Sequence, residues 1–174
     1  MEWRFEDVNE KLIIGMNYYG DPFSVGGAWS VDNAIGKLWQ RFSTYLSKHA
    51  KQILHRVNMD ESYECHVMDE TFEDTGEYGI MVGLEVSSLT NQPVHLVSKV
   101  IPKKKYLVLI LRGQDIVSDQ QVFINQILKA HPEKSVDSRF FFEKYDKRFK
   151  GMNRLEESLV EIYIPLNDTD SNHG

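Results

Sequence analysis

The sequence predicts an α+β fold of two strand-helix-strand-strand modules, related by a pseudo-twofold axis, whose antiparallel sheets form a ligand groove. Three observations support this prediction. Apolar runs of strand length alternate with two amphipathic helical stripes, the same order of elements occurs twice, and each half has only one helix to cover its strands. Antiparallel sheets often leave one face uncovered, so the uncovered faces of two such modules can together line one cleft.

The first half of the chain, about residues 1–90, is predicted to contain one helix and three strands. Apolar residues recur at intervals of three, four and seven between Val31 and Ile53, which is the stripe of an amphipathic helix. Ser30 precedes this stripe and is the predicted N-cap. The strands of this half are predicted over residues 12–19, 63–68 and 78–86.

The second half, about residues 91–166, repeats this order. Its helix is predicted over about 117–130 and is closed by His131 and Pro132. Its strands are predicted over residues 94–100, 106–111, 138–145 and 159–165. Residues 1–166 are therefore expected to form a single domain, and the polar residues 167–174 a disordered tail.

Composition excludes several classes of partner. The chain has 20 basic and 26 acidic residues among 174, a net charge of −6, and no clustered basic face of the kind that neutralises phosphates. We therefore expect no direct contact with nucleic acid. Cys65 is the only cysteine, so no intramolecular disulfide can form. The acidic residues 1–7 lack the basic and apolar regions of a signal peptide, and no apolar run reaches membrane-spanning length, so neither element is expected. A cytoplasmic protein without a membrane partner is expected.

Motifs for metals and cofactors are missing from the sequence. The six histidines are scattered, with no pair at the helical i, i+4 spacing and no Cys-x-x-Cys beside them, so a zinc site is not predicted. No phosphate loop and no Gly-x-Ser-x-Gly elbow occur. We expect neither a metal nor a cofactor.

The strongest candidate site lies in the aromatic strand near residue 143. Side chains alternate along a strand, so Phe140 and Phe142 share one face, while Phe141, Glu143 and Tyr145 share the other. If the first pair lies beneath a helix as core, the second set holds a carboxylate between two rings on the open face. Such a site suits an organic cation or an electron-poor aromatic ligand. The alternative is an ordinary strand glutamate that faces water.

Four further residues have two interpretations each. Glu161 and Tyr163 share a face of the last strand, either as a second acidic-aromatic arrangement of the groove or as a solvated edge. Trp39 lies on the apolar stripe of the first helix, which favours a core position over a functional one. Tyr106 is either a core tyrosine with a satisfied hydroxyl or a donor in the groove wall.

Short motifs in a consistent order resemble those of a known family over about residues 12–166. They are Leu38-Trp39, the strand 80–86, Ile101-Pro102 ahead of Lys105-Tyr106, Arg112-Gly113, Phe142-Glu143-Lys144-Tyr145-Asp146, and the terminal run 162–166. In these features the chain resembles the GyrI-like effector-binding domains of bacteria, which are also the ligand-sensing half of multidrug-responsive transcription activators. The chain looks like a stand-alone member without a DNA-binding module.

This resemblance implies a ligand groove between the two modules with Glu143 as its acidic centre. In the multidrug-sensing members the matching glutamate contacts lipophilic cations. The resemblance also implies that Trp39, Tyr106 and Tyr145 line the walls, and with Phe141 and Tyr163 they complete the predicted ligand site.

Three functions follow from these features. The first is a module that senses or sequesters small amphipathic molecules, cationic or aromatic, and it is favoured because no catalytic constellation occurs. The second is a hydrolase of reactive cyclopropane-type electrophiles with Glu143 as general base and Tyr145 or Tyr106 as donor, as some stand-alone relatives imply. The third is a protein partner, in the manner of a gyrase inhibitor.

Overall fold

The computed structural model describes residues 1–167 as an eight-stranded antiparallel sheet with helices packed on it, which confirms the α+β prediction. The strands are β1 (Glu2–Val8), β2 (Lys11–Gly20), β3 (Ser62–Val67), β4 (Tyr78–Val86), β5 (Val97–Ile101), β6 (Lys104–Arg112), β7 (Phe140–Tyr145) and β8 (Leu159–Pro165). The α-helices are α1 (Ala34–His49), α2 (Phe72–Thr75) and α3 (Gln120–Ala130). The predicted tail begins with Asn167, whose amide donates to the Ser135 carbonyl at 2.9 Å, and its remainder, 168–174, lies outside the described residues.

The strand order reveals the duplication. Across the sheet the strands lie in the order β1-β6-β8-β7-β3-β4-β2-β5. One module is β2-α1-β3-β4 and the other is β6-α3-β7-β8, so each gives three adjacent strands, in mirrored order, that meet where β3 pairs with β7. The remaining two strands are exchanged between modules, because β1 pairs with β6 and β5 pairs with β2.

Both long helices lie on the same face of the sheet. Leu38 and Phe42 of α1 are buried against the first module's strands, and Ile124 and Ile127 of α3 against the second module's. Burying such apolar side chains contributes about 1.5–3 kcal/mol each. Among residues 1–167, no helix is both long enough and apolar enough to cross a membrane.

The opposite face of the sheet forms a second core that no described helix covers. Tyr63, Tyr106 and Phe142 are at most 1 % exposed there. Val8 of β1 and Ile101 of β5 belong to the same cluster, although these strands lie at opposite edges of the sheet. Such burial without a covering helix requires the twisted sheet to curve around this face.

Two local expectations from the sequence are corrected. The first long helix begins at Ala34, later than predicted. Its N-cap is Asn33, whose side chain accepts a hydrogen bond from the Gly36 amide at 2.8 Å. The predicted cap, Ser30, instead accepts a hydrogen bond from the Asp32 amide in the preceding turn. The acidic N-terminus forms β1, which was not predicted.

Candidate ligand-binding groove

A groove of about 1190 Å³ lies on the helix-bearing face, between α1, α3 and the central strands. This volume is sufficient for a drug-sized molecule. Aromatic and aliphatic side chains form most of the wall, among them Trp39, Tyr78, Ile124, Phe141, Phe149 and Ile164. The groove therefore occupies the module boundary that the topology predicted, but on the face that also carries the helices.

Two carboxylates lie opposite each other on the floor of the groove. The register of β3 against β7 pairs Glu64 directly with Glu143. Because side chains alternate along a strand, Glu64 and His66 point to the same face, as do Phe141 and Glu143. Both glutamates are only 4 % exposed, so their charges are almost completely removed from water.

Each carboxylate is held by one aromatic donor. The indole N–H of Trp39 donates to Oε2 of Glu64, and the hydroxyl of Tyr145 donates to Oε2 of Glu143. The two donors also contact each other edge to face, with ring centroids 5.3 Å apart. Trp39 and Tyr145 thus fix the orientation of the acidic pair, which leaves the second oxygen of each carboxylate without a hydrogen bond from either ring.

His66 is inserted between two rings beside this pair. It stacks on Phe141 with a centroid distance of 4.2 Å and on Tyr78 at 5.8 Å. Its Nε2 lies 2.8 Å from Oε1 of Glu64, close enough for an ion pair. Within residues 1–167, neither ring nitrogen has a partner with full hydrogen-bond geometry, so the contact with Glu64 is described as an ion pair.

Burial and the facing charges perturb the proton affinities of these groups. Burial, and then the charge of Glu64, raise the pKa of Glu143 to about 7, while His66 and the hydrogen bond from Tyr145 partly oppose the rise. Burial by itself lowers the pKa of His66, but the carboxylates of Glu64 and Glu143 outweigh it and raise the pKa above its usual value. The cluster is therefore poised to change charge near neutral pH.

The structure brings four of the predicted site residues together and separates two from them. Glu143, Tyr145, Phe141 and Trp39 all line the groove. Tyr106 and Tyr163 lie in the core of the opposite face, so their expected place in the groove wall is corrected. The reason is strand alternation, which directs Ile162 and Ile164 to the groove and Tyr163 away from it.

The hydroxyl of each excluded tyrosine is satisfied where it lies. Tyr106 donates to the carbonyl of Pro102 at 2.8 Å, and Tyr163 donates to Glu161 at 2.7 Å. Alternation also places Phe142 on the helix-free face, where it stacks on Tyr163 at 4.5 Å. The condition that Phe140 and Phe142 lie beneath a helix is thus not met, although Glu143 still faces the groove.

Reasoning from the sequence missed Glu64 and His66. Their spacing, Glu-x-His within a short strand, is a pattern that could have placed both on one face. What the sequence did not reveal is that this strand pairs with β7, which lies about eighty residues further along the chain.

Solved structures with a similar fold are known. The structure of SAV2435 bound to tetraphenylphosphonium has a TM-score of 0.68 at 16 % identity, covering 99 % of this chain and 98 % of that one. The integron cassette protein of the mobile metagenome of Vibrio cholerae has a TM-score of 0.56 at 16 % identity, covering 95 % of each chain. A hydrolase from Listeria innocua has a TM-score of 0.54 at 10 % identity, covering 95 % of this chain and 92 % of that one. At these identities the likeness establishes the fold alone.

Sequence comparison supplies the family. No curated protein sequence matches the chain. The model of one family, described as "Cass2: Integron-associated effector binding protein", matches residues 4–166, which is nearly the whole of the chain and includes both modules and the groove between them. The chain belongs to the family of integron-associated effector binding proteins, within the GyrI-like effector-binding fold.

Proposed function

We propose that the groove binds lipophilic organic cations with aromatic substituents, and that the protein senses or sequesters them. The observation that carries the proposal is the carboxylate of Glu143, which is 4 % exposed at the floor of a large aromatic groove. A buried carboxylate has lost the hydration that would otherwise weaken its attraction for a cation. Glu143 therefore provides a charge-specific contact that apolar walls alone cannot provide.

The walls suit the rest of such a ligand. The faces of aromatic rings attract cations, and Trp39, Tyr145 and Phe149 form a connected set, with Tyr145 and Phe149 centroids 4.9 Å apart. Apolar wall area favours ligands whose charge is shielded by aromatic groups over small, strongly hydrated ions such as ammonium. The similar protein SAV2435 binds tetraphenylphosphonium, a ligand of this class.

Two ligands of the same shape and opposite charge provide a direct test. Tetraphenylphosphonium and tetraphenylborate are both tetraphenyl ions, so the difference in their affinities measures the contribution of charge. We expect the wild-type protein, followed by tryptophan fluorescence or isothermal titration at pH 8, to prefer the phosphonium by about tenfold or more, which corresponds to about 1.4 kcal/mol. Glu143→Gln keeps the shape of the side chain and is expected to lose most of that preference.

Glu161→Gln is the matched control. Glu161 is also 4 % exposed and lies on the neighbouring strand, but it faces away from the groove, where it pairs with Lys144 and Arg148. Its substitution changes the net charge by the same amount and should leave the preference for the phosphonium intact. Equal affinity of the wild-type protein for the two ions, or an unchanged preference in Glu143→Gln, would refute the proposal.

A second candidate function is hydrolysis of small electrophiles, and the pKa of Glu143 favours it. With a pKa of about 7, this side chain is suited to act as a general base near neutral pH. Glu143 would accept a proton from a water molecule while the water oxygen forms a bond to a strained ring carbon. The ring C–C bond would break with its electron pair on the other carbon, which would take up the proton from Glu143. The similar Listeria innocua protein described as a hydrolase supports this alternative.

Turnover of a cyclopropane-bearing electrophile distinguishes the two functions. A hydrolase loses turnover in Glu143→Gln, because the amide cannot accept the proton, whereas a binding protein shows no turnover in any variant. The hydrolase alternative fails if the wild-type protein does not exceed the uncatalysed rate, or if Glu143→Gln retains full activity.

A further inference from the structure

The floor of the groove contains three side chains with the donor atoms of a metal site. Glu64, His66 and Glu143 can each direct one ligand atom to a common point, and these atoms lie within 4.8 Å of one another. All three residues are buried, at 4 % exposure each. Ligand atoms bound to one tetrahedral zinc ion lie about 3.4 Å apart, so small side-chain rotations would close the set around an ion.

His66 lacks the partners that a buried imidazole requires. In the described part of the chain neither ring nitrogen has a hydrogen bond, and stacking on Phe141 and Tyr78 satisfies only the ring faces. Leaving a buried polar group unpaired costs about 1–3 kcal/mol. The contact of Nε2 with Glu64 is an ion pair between two members of the same cluster, and Nδ1 has no hydrogen bond within residues 1–167, so an imidazole nitrogen at the groove floor is an available ligand atom.

The two carboxylates already have the outer contacts typical of metal ligands. Trp39 and Tyr145 each donate to one oxygen, Oε2 of Glu64 and of Glu143 respectively. Such hydrogen bonds fix the direction of a ligating carboxylate and leave its other oxygen for the ion. In Glu64 this other oxygen is Oε1, which lies 2.8 Å from Nε2 of His66, so a bound ion would replace that ion pair. The like charges of the two facing glutamates also favour a divalent cation between them.

We propose that Glu64, His66 and Glu143 bind a divalent first-row transition-metal ion, with zinc as the reference ion. One imidazole nitrogen and two carboxylate oxygens are ligands that zinc accepts. Three protein ligands leave at least one coordination position, which faces the groove and is accessible to water or to a donor atom of a bound molecule. The proposal does not depend on the binding of organic cations, although both ligands would use Glu143 and are expected to compete.

Direct titration with metal salts tests the proposal. Tag-free protein is stripped with a chelator, dialysed, and titrated with zinc chloride by calorimetry and with cobalt chloride by visible absorption. We expect one ion per chain. The visible absorption bands of the cobalt-loaded protein should indicate a low coordination number, with nitrogen and oxygen atoms as the ligands. His66→Gln and Glu64→Gln should each weaken binding by at least about tenfold. Trp39→Phe removes the outer hydrogen bond together with part of the ring, and should weaken binding by about tenfold.

Surface histidines supply the control. His49 and His95 both contact Tyr45 and are exposed, so they could form an adventitious metal site. The double variant His49→Gln/His95→Gln should retain binding in full. Circular dichroism and urea unfolding verify that each variant is folded, and protection of the wild-type protein against urea by zinc gives a readout that needs no variant.

Several outcomes would overturn the proposal. One is that the wild-type protein neither binds zinc stoichiometrically nor is protected by zinc against urea. Full binding by folded His66→Gln is another, and loss of binding in the His49→Gln/His95→Gln variant would assign the ion to the surface. Tetraphenylphosphonium is titrated separately into the stripped protein, so failure of one ligand is distinguishable from failure of the other.

Discussion

Replacing Glu143 with glutamine is expected to stabilise the protein, and by an amount that depends on pH. The titratable groups that face this carboxylate are Glu64 and His66 on β3 and Tyr145 on its own strand. Burial and the charge of Glu64 raise its pKa from 4.5 to about 7. Because one pKa unit corresponds to about 1.4 kcal/mol, a shift of this size corresponds to about 3 kcal/mol. The native fold therefore opposes ionisation of Glu143 by that amount.

The direction of the effect follows from proton linkage. The folded pKa is higher than the unfolded one, so between pH 4.5 and 7 the folded state binds more protons than the unfolded state. The contribution of Glu143 to stability is therefore complete below pH 4.5 and is lost as the pH rises through 7. Glutamine does not ionise, so Glu143→Gln should match the wild-type protein near pH 4.5 and exceed its free energy of unfolding by about 3 kcal/mol at pH 8.

Urea unfolding of the metal-free protein at pH 4.5, 6 and 8, followed by circular dichroism, measures this difference. Glu161→Gln is the informative contrast. Burial raises the pKa of Glu161, but hydrogen bonds from Tyr163, Lys144 and Arg148 outweigh it and lower the pKa to about 2. Its contribution is therefore present at neutral pH and lost only in acid, so Glu161→Gln should destabilise the protein at pH 8. The reasoning is refuted if Glu143→Gln is no more stable than the wild-type protein at pH 8, or if its advantage is the same at pH 4.5.

Three further substitutions test the fold around the groove. Gly15→Ala should prevent folding, measured as soluble yield and far-ultraviolet circular dichroism, because an added Cβ would overlap the Val82 carbonyl oxygen on β4. Asn33→Ala removes the N-cap of α1 and should cost about 1 kcal/mol in urea unfolding. Tyr106→Phe loses the hydrogen bond to Pro102 and should cost about 1 kcal/mol of stability, while the affinity for tetraphenylphosphonium stays unchanged because this ring lies on the opposite face.

The sequence correctly predicted the strands whose apolar pattern has clear ends. β4 and β8 have the predicted bounds, 78–86 and 159–165, because their runs of apolar residues end at clear breaks. β1 was missed although charged residues alternate with Trp3 and Phe5 in it, which is the two-residue period of a strand with one solvated face. The late start of α1 also has a local cause, since Asn33 competes with Ser30 as a cap and makes the better bond to the helix.

The candidate site was only half predictable, and the limit is pairing between distant strands. Alternation along the six residues of β7 correctly grouped Phe141, Glu143 and Tyr145 on one face. The same rule could not decide which face of β8 meets the groove, so Tyr163 was placed there. It also could not indicate that β3 would lie beside β7, which is a contact between modules and depends on how the two cores meet.

That contact explains why the acidic cluster lies where it does. β3 and β7 occupy corresponding places in the two modules, and their antiparallel pairing is the junction of the duplicated sheet. A groove-facing acid on one of them, such as Glu143, is opposed by a groove-facing residue of the other, here Glu64. Two buried carboxylates in register repel each other, and the fold tolerates them only with a proton, His66 or a cation nearby. If the groove binds cations as proposed, the electrostatic cost of this junction is a driving force for that binding, which a single module would not have.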